Sequence, residues 1–195
     1  MAAQYPGYVD RELGMAEQQR TSVVALSKTM AWLSTIGFVL LPLVLAYAFL
    51  DPDHSRWMMF SYAHGGVSLS SEQPLQFRLI ALVCALVATG FTMWALWSLR
   101  RLFLLYARGS VFSAEALAAL NHVAVALFAG VVVAFAMQAP ISLALTWPNG
   151  AGHREISLSF GTSDVATLFM AGVVLVIARV MAEAQRVADE NAKFV

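Results

Sequence analysis

Four histidines, His54, His64, His122 and His153, are the side chains of this chain best suited to metal or proton chemistry. Three of them lie in polar stretches that also hold Asp51, Asp53, Glu72 and Glu155. Imidazole and carboxylate together can hold a divalent ion. The spacing does not favour it, because no HxxH or HExxH pattern puts two ligands on one helix face. His122 stands beside Asn121 near the start of an apolar stretch, where interfacial hydrogen bonding is the expected use. The single cysteine, Cys84, lies inside an apolar run and can form no internal disulfide and no cysteine cluster. No catalytic site is recognisable. The expectation is therefore a protein that is not an enzyme, with no catalytic residue, no cofactor and no metal site.

The elements that would position such residues are dominated by apolar sequence. The chain of 195 residues is 59% hydrophobic and 12% charged, with a mean hydropathy of +0.69. Soluble domains carry about 25% charged residues. Half that share, gathered outside several uncharged runs, points to an α-helical integral membrane protein. The net charge of zero gives no bulk attraction to nucleic acid, and no direct nucleic-acid binding is expected. Residues 1–22 are polar and of mixed charge, unlike a secretory signal, and read as a cytoplasmic N-terminal segment.

Residues 23–182 form the expected membrane domain, with four spans at about 29–50, 79–99, 116–147 and 164–182. A hydrocarbon core about 30 Å thick needs about 20 helical residues. The first three runs supply them. The fourth offers only fourteen uncharged residues between Asp164 and Arg179. It can span if Arg179 snorkels and Asp164 caps the far end. Residues 183–195 continue an apolar stripe and read as a cytoplasmic helical tail.

Orientation comes from Lys and Arg. With both termini inside, nine of the twelve basic residues lie on the inner side, and only Arg56, Arg78 and Arg154 lie outside. The 100–115 connection is then cytoplasmic. Its sequence RRLFLLYARGSVFSAE carries Gly109 as a helix stop and Ser113 as a helix start, with Glu115 in the first turn. Arg100, Arg101, Phe103, Tyr106, Arg108 and Phe112 would form an apolar and aromatic patch rimmed by cations. Such a patch can pack among helix ends, anchor at the headgroups, or dock a partner.

Two outer segments share a period of two: Val67–Ser70 (VSLS) and Ile156–Phe160 (ISLSF). Alternation of this kind marks a half-buried strand, and two such strands can pair. The expectation is a small extracytoplasmic β-ribbon with its apolar faces against the membrane domain. Within the third span, Ala126, Gly130 and Ala134 fall four apart, and small residues so placed let helices approach closely. That face packs within the bundle or forms the seam of a homodimer. Pro140 is expected to kink this helix, with Gln138 satisfying the freed carbonyl.

The run LYARGSVFSAE, followed by an apolar helix and ISLSFGTSDVATLFMAGVVLVIARVMAEAQRVADENAKF, is similar to the bacterial four-helix membrane family of unknown function designated DUF2975. The matching positions are Tyr106, Gly109, Phe112 and Ser113, Ile156 to Asp164, and Ala178–Arg179–Val180, Glu183–Ala184 and Asp189–Glu190. The resemblance covers residues 25–193. It implies a multi-pass protein of the bacterial inner (cytoplasmic) membrane, often encoded beside a small cytoplasmic helix-turn-helix regulator. It supplies no catalytic residues.

Two kinds of role fit these features. One is a membrane-embedded regulatory or interaction protein of unassigned activity that tethers a helix-turn-helix regulator. The other is an accessory subunit of a larger membrane complex, for example an energy-transducing assembly. The lipid bilayer is a partner in either case, and no small-molecule substrate is identified.

Overall fold

A computed structural model describes residues 6–51, 74–111 and 113–192, with side chains described from residue 21 onward except at 188, 189, 191 and 192. It contains four long helices: α1 (Pro6–Leu50), α2 (Leu75–Ala107), α3 (Ala114–Thr146) and α4 (Thr162–Ala192). A single 3-10 turn at Trp147–Asn149 follows α3. All four helices are long and apolar enough to cross a membrane, and the chain is a multi-pass membrane protein. Helices pack mainly on their sequence neighbours, α1 on α2, α2 on α3 and α3 on α4, with α2–α3 the broadest pair.

The first two uncharged runs agree in length. The uncharged stretches 29–50 of α1 and 79–99 of α2 measure about 33 and about 32 Å at 1.5 Å per residue. They match a bilayer core. Arg78 Nη2 donates to Leu50 O at 3.2 Å and ties α1 to α2 at one end, termed the loop end. Near it lies the larger core cluster, Leu45, Ala48 and Phe49 of α1, Ala81 and Ala85 of α2, and Ile141, Ala144 and Leu145 of α3. Cys84 packs on its margin. Leu102, Leu105, Ala116 and Ala119 form a second cluster at the opposite, turn end. Alanines recur in both because they let helix backbones come close where no water drives large side chains inward.

The helix boundaries at the turn end follow the sequence signals. Gly109 has φ +82°, a conformation that favours glycine. Gly109 N donates to Tyr106 O at 3.0 Å and Ser110 N to Leu105 O at 3.1 Å, the paired bonds of a Schellman motif. Ser113 Oγ accepts from Ala116 N at 3.2 Å and caps α3. Both α1 and α3 run through their prolines, Pro42 and Pro140, without interruption of the helix.

The expected β-ribbon is not present. Residues 153–161 are extended, but no strand occurs among the described residues, and Val67–Ser70 lies outside them. The extended segment instead pairs with α3. Ser159 N donates to Gln138 Oε1 at 2.7 Å, and Gln138 Nε2 donates to Ser159 O at 2.9 Å. Ser157 N donates to Ser142 Oγ at 3.1 Å. Glu155 N donates to Thr146 Oγ1 at 3.1 Å, and Thr146 Oγ1 lies 3.1 Å from Glu155 O as a donor. The register has a simple cause. Four helical residues rise about 6 Å and two extended residues about 6.6 Å, so side chains at 138, 142 and 146 meet backbone at 159, 157 and 155.

This ladder also reverses the expected facing of the segment. Glu155, Ser157 and Ser159 are half-buried on the α3 side, whereas Ile156, Leu158 and Phe160 are 64%, 55% and 53% exposed. In a membrane protein the medium outside is hydrocarbon, so the polar face turns in and the apolar face turns out. Gln138 serves both backbone groups of Ser159, and it is almost wholly buried.

The short fourth span is explained by the same segment. The ladder descends along α3 by about 12 Å from Thr146 to Gln138. Helix α4 then begins, and Asp164 to Arg179 adds about 22 Å. Together they equal the crossing made by α1 or α2. Extended backbone at such depth is costly unless protein supplies hydrogen bonds, and Gln138, Ser142 and Thr146 supply them to the backbone of Ser159, Ser157 and Glu155. Asp164 Oδ2 accepts from Gly161 N at 2.8 Å, fixing the start of α4 by the return arm of a capping box.

Candidate functional site

Of the residues expected to form one patch at the turn end, Arg100 and Arg101 address different helix neighbours. Arg100 turns toward α1, where its Nε donates to Thr35 Oγ1 at 3.0 Å and its Cζ lies 5.4 Å from the Trp97 ring centroid. Arg101 turns toward α3 and stands 3.9 Å from a Glu115 carboxylate oxygen, with both side chains well exposed. Exposed pairs of this kind contribute little stability. Tyr106 is half-buried and packs on the Leu102–Leu105–Ala116–Ala119 cluster. Phe103 is half-buried and Arg108 exposed. Phe112 lies outside the described residues.

The three small residues of α3 differ in what they do. Ala126 is buried, and Gly130 and Ala134 are half-buried. A Cβ added to Gly130 would stand 3.3 Å from Phe91 Cβ, so this glycine admits the close approach of α2. Among the histidines, His122 stacks near Trp94 with ring centroids 6.0 Å apart, and His153 is exposed. His54 and His64 lie outside the described residues. Among the described residues no three of His, Cys, Asp and Glu come together.

A recess lies between α1 and α2 near the turn end. A cavity of about 280 Å³ is lined by Lys28, Ala31, Trp32, Thr35, Arg100 and Leu104. A second hollow of about 170 Å³ shares Thr35 and Arg100 with it and is lined further by Ser34, Phe38, Leu96 and Trp97. Thr35 orders the junction. Its hydroxyl donates to Ala31 O at 2.8 Å and so presents a lone pair to Arg100 Nε. Sequence reading singled out Arg100 but missed Lys28, Thr35 and Leu96. The missing signal is non-local, because Thr35 and Arg100 are 65 residues apart.

A family model described as a protein of unknown function (DUF2975) matches residues 29–195. The chain belongs to the DUF2975 family. The match takes in Thr35, Arg100, the turn between α2 and α3, the polar ladder and α4. No curated protein and no solved structure matches the chain. For this DUF2975 member the functional reading therefore rests on its own surfaces.

Proposed function

We propose that this DUF2975 protein is a membrane-embedded interaction protein that holds a cytoplasmic partner at its turn end. The observation that supports the reading is the uneven projection of the helices. Beyond the uncharged slab, α1 extends from Ser27 back to Pro6, α2 from Arg101 to Ala107, and α4 from Val180 to Ala192, all at one end. At that end Arg108 and the Arg101–Glu115 pair are exposed. The nine-to-three basic bias supports placing this end, and both termini with it, in the cytoplasm, and the family resemblance implies a bacterial inner membrane. The proposed partner is a small helix-turn-helix regulator, in keeping with the genetic neighbours implied by the family resemblance.

Two measurements test the reading. Ser110→Cys in a Cys84→Ser background should be labelled by an impermeant thiol reagent only after the membrane is opened; labelling of intact cells would overturn the orientation. Arg101→Glu with Arg108→Glu should abolish recovery of cytoplasmic proteins with the mildly solubilised chain. Retention of every such protein, with the wild type found only inside a larger integral complex, would establish the accessory-subunit role instead.

A further inference from the structure

The recess between α1 and α2 has a chemical character that the partner reading does not use. We propose that it is a binding site for an anionic phospholipid, with the phosphate held between Lys28 and Arg100 and one acyl chain lying in the slot of Phe38, Leu96 and Trp97. Lys28 and Arg100 line one cavity of about 280 Å³, and Thr35 and Arg100 lead from it into the second hollow. Thr35 occupies the Nε edge of the guanidinium, at 3.0 Å. The Nη groups then present the planar fork that matches two phosphate oxygens. Among the described residues neither Lys28 nor Arg100 has a carboxylate partner. Two cations facing one recess without a counter-charge repel each other, and an anion between them relieves this.

The depth selects a lipid over a dissolved anion. Lys28 and Arg100 mark the edge of the uncharged slab, where headgroup phosphates lie. Trp32 is 70% exposed and Trp97 54% exposed at the same level, as expected of rings in the headgroup region. The second hollow runs on from Arg100 to Phe38 and Leu96, which a free phosphate would leave empty.

The test uses the full chain in mild detergent, with native mass spectrometry after equilibration with phosphatidylglycerol or phosphatidylcholine. The wild type should retain phosphatidylglycerol in preference. Lys28→Gln and Arg100→Gln should each weaken retention about fivefold, the equivalent of ~1 kcal/mol per interfacial cation. Leu96→Trp fills the slot, keeps both cations, and should also release the lipid. Arg100→Lys should restore part of the binding lost in Arg100→Gln, which separates loss of charge from misfolding. Equal retention of both lipids, or full retention in the Lys28→Gln/Arg100→Gln double variant, would overturn the proposal. So would displacement of the lipid by millimolar inorganic phosphate with Leu96→Trp behaving as wild type, since the site would then serve a soluble anion. None of these outcomes depends on a cytoplasmic partner.

Discussion

Helix α3 is entered and left by two different kinds of connection. From α2 the chain reverses through residues 108–113, with every fixing bond made to a residue within five positions: Ser110 to Leu105, Gly109 to Tyr106, Ala116 to Ser113. Toward α4 it takes residues 147–161, and the bonds that fix the extended part reach back 9, 15 and 21 positions to Thr146, Ser142 and Gln138. The first connection needs only its own residues to form. The second exists only once α3 has formed and placed three polar side chains in a column. A turn of local bonds can sit beyond the membrane and use water for whatever it leaves unpaired. A segment lying along a helix inside the slab has less recourse to water, so the backbone groups it turns toward α3 take side-chain partners there.

The largest expected effect follows from removing the deepest rung. Gln138→Leu deprives Ser159 of both its partners at once and puts an apolar side chain of similar size in their place. Each buried backbone group left unpaired costs about 1–3 kcal/mol, so about 2–6 kcal/mol of stability should be lost. Unfolding of the detergent-solubilised chain by increasing sodium dodecyl sulfate measures it, and hydrogen exchange at Ser159 N–H should rise in parallel. Unchanged exchange at that amide would show that the ladder does not hold the segment.

Thr146→Val removes the outermost rung and keeps the shape. It takes away the acceptor for Glu155 N and a donor close to Glu155 O. This end lies near the edge of the slab, level with Trp147, where water can replace what is lost. The expected cost is about 1 kcal/mol, less than at Gln138. A cost as large as that of Gln138→Leu would break the idea that depth in the membrane sets the value of each rung.

Ser113→Ala tests the turn end by the same assay. Loss of the cap on α3 should cost about 1 kcal/mol. Because the turn is stabilised locally, this variant and Gln138→Leu should add without interaction. A clear non-additivity would mean that the two ends of α3 are coupled.

The same contrast decides what the sequence could reveal. Four apolar runs, the stop at Gly109 and the cap at Ser113 are local features, and the helices and the tight turn follow from them. The alternation at 156–160 is local too, and it signals extended backbone correctly. It does not say what the backbone bonds to. Gln138, Ser142 and Thr146 form a column spaced by four, but in sequence they read as isolated polar residues beside a proline. Nor does alternation say which face is inside, because that depends on the surrounding medium. In water Ile156, Leu158 and Phe160 would turn inward; in hydrocarbon they turn outward. The different neighbours of Arg100 and Arg101 have a related cause. Arg100 and Arg101 are adjacent in sequence but about 100° apart around the helix, so they address α1 and α3 respectively.

The smallest expected effect is the one that most directly tests the facing of the extended segment. Leu158 is 55% exposed, between Ser157 and Ser159 that point to α3. If its side chain lies in lipid, Leu158→Ala exchanges one lipid-facing apolar group for a smaller one and opens no cavity. The loss of folding stability should stay below about 0.5 kcal/mol, within the range of surface substitutions. Were the apolar row packed inside the protein, the same change would leave a void and cost about 2–5 kcal/mol. The two values differ enough for the detergent unfolding assay to separate them. Leu158→Asp sharpens the answer, because a charge held in hydrocarbon costs about 2.5–3.5 kcal/mol at mid-membrane and less toward the edge. A small loss for alanine with a clear loss for aspartate is the signature of a lipid-facing position. A large loss for both would return Leu158 to the interior and reverse the facing of the whole segment.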